Sequence, residues 1–209
     1  MKLKLLFLLL ICTFLEKIFC QIGVNNTAPF NNPIILIDSI LLGGGVVSSN
    51  HSFQGDPTQI GYFNAINTNL NMDSGVVLST GNIIALDPNF NGIITSPINS
   101  VSDPDLLNVA NSVPGLIGQA FSVSGIFDVA LLEFDFVPNS DTLVFDYIFG
   151  SNEYLQWVNS EYNDVFGFFI SGPGITGPYS SPIGFPNGSI NIATVPNSSP
   201  PLPITISSI

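Results

Sequence analysis

Beyond residue 20 this chain has no lysine, no arginine and no cysteine. All three cations, Lys2, Lys4 and Lys17, lie in the first twenty of its 209 residues, and so do Cys12 and Cys20. The formal charge of −12 becomes −14 once that stretch, with its three lysines and Glu16, is set aside. Only His51 then gains a positive charge near neutral pH. These absences exclude whole classes of function. Nucleic-acid phosphates need Lys and Arg to displace counterions, so nucleic acid is not a partner. A phosphate-gripping P-loop, a lysine Schiff base and an arginine clamp on an anionic substrate fall for the same reason. Cysteine nucleophiles and cysteine-ligated zinc are also excluded.

The first segment reads as a targeting signal. Lys2 and Lys4 precede an apolar run from Leu5 to Leu15, and polar residues resume at Glu16 and Lys17. A membrane-spanning helix needs about 20 apolar residues, so this run is short for one. It fits a secretory signal peptide over residues 1–20, cut near Cys20–Gln21. A retained N-terminal anchor helix is the rival. A lipidated Cys20 is a third reading, opposed by the bulk of Lys17, Ile18 and Phe19. Residues 21–209 are then expected to form one exported domain with no transmembrane span. Lacking disulfides, it must be held by apolar burial, and a domain of this size buries roughly 70% of its unfolded surface. The chain stops on Ile209 just after a strand signal, so truncation at the C-terminus is expected.

Punctuation along the chain favours short elements. Asn32-Pro33 before Ile34–Leu42, with Gly43-Gly44-Gly45 after it, predicts a short helix; a buried strand is its rival. Asp56-Pro57 starts a turn or helix expected to end near Phe63, and Gly75–Ser79 reads as a strand. Ser102-Asp103-Pro104-Asp105 predicts another capped short helix. Val129–Phe136 and Thr142–Phe149 are expected to pair as a hairpin across Val137–Asp141. In the second run Leu143, Phe145, Tyr147 and Phe149 share one face, and Val144, Asp146 and Ile148 the other. Val165–Ile170 is a further strand, with weaker ones at Ile190–Val195 and Ile204–Ser207. Pro196–Pro203 reads as a turn between the last two. Together these predict a mainly β fold, a β-sandwich or jelly-roll-like domain with two or three short helices.

The densest polar and aromatic stretch runs from Gly150 to Asp164, between two expected strands, and carries the one tryptophan. Three readings compete for it. Calcium takes six to eight oxygens, which Glu153, Asn163 and Asp164 with Asp146 or Glu161 would supply, although the spacing matches no EF-hand. Glu153 and Glu161 would make a glycosidase-like acid pair, with Trp157 stacked on sugar. Alternatively the segment is structural, with Glu153 capping a short helix, Tyr154 and Trp157 facing the core, and Asn and Asp satisfying turn backbone. Tyr154, Trp157 and Glu161 are the ligand-binding candidates. His51 would be needed for a Ser-His-Asp triad, but no G-x-S-x-G elbow exists and a surface-loop histidine is the simpler reading. The N-x-S/T matches at Asn25, Asn50, Asn187 and Asn197 follow from an Asn- and Ser-rich composition.

Ordered stretches of the chain resemble the choice-of-anchor L domain of secreted and surface bacterial proteins. They are Leu42–Val46, Gln59–Asn64, Ser74–Gly81, Asp103–Leu106, Leu132–Pro138, Phe149–Tyr154 and Asn163–Gly174, with Asn191–Ile206 similar to the family's later strands. Where that family reads Ser-Glu-Glu-Tyr, this chain has Ser151-Asn152-Glu153-Tyr154, one acid fewer. The resemblance implies an exported β-rich module held at, or released from, the cell surface, and brings no catalytic residues with it. The expectation is a secreted or cell-surface binding or adhesion module rather than an enzyme. Its ligand would be a glycan or extracellular protein, with calcium as an assisting ion. A carbohydrate-active hydrolase using Glu153 and Glu161, or a structural spacer in a larger surface protein, are the alternatives.

Overall fold

The computed structural model describes residues 22–66, 68–86 and 98–209. The expected signal peptide and its cleavage point lie outside the described residues. Within them the fold is mainly β, as the sequence predicts: nine strands in four antiparallel sheets, with two α-helices.

One sheet has three strands, in the order β1 (Gly23–Asn25), β3 (Ile60–Asn64), β4 (Ser74–Leu78). The other three are pairs. β2 (Val47–Gln54) pairs with β5 (Leu131–Val137), and β6 (Val165–Phe166) with β9 (Ile204–Thr205). β7 (Phe169–Ile170) pairs with β8 (Ile190–Asn191).

The helix expected after Asn32 forms. α1 (Pro33–Ile35) is capped by the Asn32 side chain, which accepts from the Ile34 amide at 3.0 Å, and it continues as a π-helix over Leu36–Leu41. Leu36 and Ile37 at this junction are fully buried, and that burial, not propensity, sustains so short a helix. α2 (Pro104–Leu116) starts where Asp103 accepts from the Leu106 amide at 2.8 Å, with Asp105 in the first turn against the helix dipole. It is three turns long, and Val109, Ala110 and Val113 turn one side into the core.

Three expectations are corrected. The turn or helix expected from Asp56-Pro57 to end near Phe63 is a single 3₁₀ turn that ends earlier, at Pro57–Gln59, closed by a capping box with Asp56. Ile60 and Phe63 are buried instead in β3, the central strand of its sheet, where pairing on both sides outweighs the helix-start signal. The hairpin of 129–136 with 142–149 does not form: β5 pairs with the distant β2, in register Val47↔Val137 to Gln54↔Leu131. A bulge between Ser49 and Ser52 accommodates Asn50 at φ 53°, and its side-chain nitrogen donates to Asp135 at 2.6 Å. Segment 142–149 keeps the alternation of an extended chain but joins no ladder among the described residues. Finally, 165–170 is two strands with different partners. The switch occurs at Gly167-Phe168, where the Phe168 amide donates to the Asn191 side chain at 3.0 Å.

Gln59 is the largest fully buried polar side chain of the described core. It is fully buried; its Oε1 accepts from the Asp56 amide (2.7 Å) and from Asn99 Nδ2 (2.5 Å), while its Nε2 donates to the Asp128 carbonyl (2.7 Å). Asp128 Oδ1 in turn accepts the amides of Ile98 and Asn99 at 2.8 and 2.9 Å.

Candidate functional site

The stretch from Ser151 to Asp164 leaves the end of the extended segment and returns into β6. Its base is fixed at several points. Asn163 is buried, donating through Nδ2 to the Ala110 carbonyl of α2 at 3.4 Å and accepting from the Ser207 amide at 3.3 Å. The Asp164 carbonyl accepts the Ile206 amide at 3.0 Å. Farther out, the Asn159 amide donates to the Ser207 hydroxyl at 3.0 Å, with Asn159 in the left-handed region at φ 61°. Before these points the chain makes one turn, the Trp157 amide donating to the Glu153 carbonyl at 3.1 Å. The Ser160 hydroxyl then donates to the Trp157 carbonyl at 2.6 Å and accepts from the Tyr162 amide at 3.2 Å.

This frame holds aromatic rings in solvent. Trp157 is 38% and Tyr162 56% exposed, and their rings meet edge to face with centroids 4.9 Å apart and planes at 69°. Tyr154 is also exposed, and Leu155 at the tip stands out at 86%. Tyr154 and Trp157 therefore do not face the core, as the structural reading would have them. Nor does the Glu153 side chain cap a helix; the Glu153 amide instead donates to the Ser151 hydroxyl at 3.1 Å. Glu161 is exposed beside Tyr162. Tyr162, the partner of Trp157, was not among the candidates read from the sequence. Its spacing of five from Trp157 carries no periodic signal; only the turn at Ser160 brings the rings together.

Two acids of the same stretch, Glu153 and Asp164, feel each other's charge. Burial pushes the Asp164 carboxyl above its ordinary value, opposed by the hydrogen bond that Ser151 Oγ donates to Oδ2 at 3.2 Å. Burial also raises Glu153, and the Asp164 charge raises it further; the same two causes raise the Tyr154 phenol. Of the expected calcium ligands, the structure brings Glu153 and Asp164 together. Asn163 adjoins Asp164 in the chain, but its side-chain amide is committed to Ala110 and Ser207. Asp146 lies exposed on segment 142–149 and shares no hydrogen bond with them among the described residues. No three His, Cys, Asp or Glu side chains among the described residues are grouped to hold a metal ion.

His51 lies on β2 with its side chain 11% exposed, which corrects the surface-loop reading. Its Nε2 is 2.9 Å from Ser48 Oγ and 3.1 Å from Asp38 Oδ1, and the Ser48 hydroxyl also donates to Asp38. A catalytic relay requires the acid on one ring nitrogen and the serine on the other. Here both partners meet the same nitrogen, so the trio is not a triad.

The model of the choice-of-anchor L domain matches residues 24–209, nearly the whole chain. The chain belongs to that family. No curated protein and no solved structure matches it. A choice-of-anchor L domain is a surface-associated, extracellular module and not a known enzyme family. No helix of this one, among the described residues, is long and apolar enough to cross a membrane.

Proposed function

We propose that this choice-of-anchor L domain is a secreted or cell-surface adhesion module that binds an uncharged glycan against the corner formed by Trp157 and Tyr162. The exposed edge-to-face ring pair carries the reading. Rings held in water by a loop anchored to α2 and the C-terminal segment present rigid contact area at little conformational cost. A pyranose face offers C–H groups to the flat of one ring, while its hydroxyls find Glu161 and Asn159 at the rim. Covering about 100 Å² of apolar surface would contribute about 2.5 kcal/mol before association costs. The formal charge of −12, with no cation beyond Lys17, disfavours sulfated, phosphorylated or uronic-acid glycans. Calcium is not required by this contact, although the Glu153–Asp164 pair would welcome a cation.

Calorimetric titration with neutral oligosaccharides (glucans, mannans and N-acetylglucosamine oligomers) tests the reading. Saturable binding weakened about 10- to 50-fold by Trp157→Ala and by Tyr162→Ala is the expected result. Binding unaffected by both substitutions would remove the site, and no saturable binding at all would favour the spacer role. Release of shortened sugars, lost in Glu153→Gln, would replace adhesion by hydrolysis.

A further inference from the structure

We propose a second interaction surface. Segment 142–149 is a docking edge for an extended strand of a different protein, one that alternates apolar residues around a central Lys or Arg. Val144, Phe145, Tyr147, Ile148 and Phe149 are strong β-formers, yet the backbone from Leu143 to Gly150 makes no hydrogen bond to other described residues. One face of the segment is fixed. Phe145 packs on Phe168 with centroids 4.0 Å apart, Tyr147 on Phe166 at 5.3 Å, and the Tyr147 hydroxyl donates to the Thr194 carbonyl at 2.7 Å.

The opposite face is open, with Val144 78% and Ile148 47% exposed and Asp146 between them. An extended chain already ordered by its inner face loses little entropy on accepting a strand, and its amides and carbonyls, unpaired among the described residues, are the groups that strand addition uses. Charge selects the occupant. A second copy paired antiparallel about Asp146 would set carboxylate against carboxylate, a destabilising cross-strand pair. Two copies would also bring together chains of formal charge −12 with no cation past Lys17. A strand with Lys or Arg opposite Asp146 and apolar residues opposite Val144 and Ile148 satisfies both terms.

Fluorescence anisotropy of the full chain with synthetic heptapeptides tests this, using threonine alternated with valine, lysine and valine, and a counterpart with glutamate replacing lysine. The lysine peptide is expected to bind about five-fold more tightly than the glutamate peptide. Asp146→Lys should invert that order, Asp146→Asn should abolish the preference, and backbone N-methylation of the lysine peptide should prevent binding. Failure of both peptides to bind, an order unchanged in Asp146→Lys, or equal binding of the N-methylated peptide would each overturn the proposal. A concentration-dependent dimer that is lost in Val144→Asp would also overturn it, by assigning the edge to a second copy.

Discussion

The side-chain oxygen of Asn163 accepts the backbone hydrogen of Ser207 at 3.3 Å, tying the base of the ring-bearing loop to the segment that follows β9. The same amide reaches α2 through the Ala110 carbonyl at 3.4 Å. Asn163→Ala takes this partner from the Ala110 carbonyl, while the Ser207 amide keeps the Thr205 hydroxyl at 3.2 Å. Both lost bonds are long, so the expected loss is about 1 kcal/mol. It should appear as a lower urea midpoint at unchanged slope.

Glu153 and Asp164 should give the domain an unusual acid response. Burial raises both carboxyls in the folded state, and the Asp164 charge adds to the rise at Glu153. The folded state then holds more protons than the unfolded chain between the ordinary carboxylate range and the raised values. Over that window their contribution to stability increases as pH falls, and it is lost again as pH rises through the folded values. Below the ordinary values of 4.5 and 3.8 it changes no further. Melting temperatures of Glu153→Gln and Asp164→Asn, compared with the parent from neutral to mildly acid pH, should converge on it as pH falls. A gap that widens on acidification would contradict the shifts.

Gln59→Leu keeps approximate volume while stranding the Asp56 amide, Asn99 Nδ2 and the Asp128 carbonyl. About 3 kcal/mol should be lost, or a fall in Tm of roughly 6–12 °C for a domain of this size. Thr58→Ala, at the neighbouring position, should cost much less, since its hydroxyl donates to Asp56 and not to this network. The comparison by thermal melting separates the buried network from the turn itself.

Asp103→Ala removes the oxygen that accepts the Leu106 amide at the start of α2. The expected cost is about 1 kcal/mol, read from chemical denaturation, with Asp103→Asn retaining most of it.

Local chemistry made part of this molecule readable in advance. Asn32-Pro33 and Asp103-Pro104 each cap a helix because capping is a matter of adjacent residues. The β5 and β4 runs were legible from their β-branched and aromatic content. The partner of β5 was not, because Val137–Asp141 is as good a turn as a hairpin needs, and nothing local weighs it against Val47–Gln54 some eighty residues earlier. For the loop, the sequence identified Tyr154 and Trp157 but not Tyr162, and it carried no signal of their exposure. Trp157 and Tyr154 have the composition of a core, yet both are exposed on a loop that Asn159 and Asn163 tie to Ser207.

The bonds that converge on Gln59 and Asp128 join positions 56, 98 and 99 through two side chains. None of those amides can reach solvent deuterium by its own small fluctuation without loosening a shared acceptor. Their exchange should therefore proceed through one common opening, with closely similar protection, even though they come from separate loops.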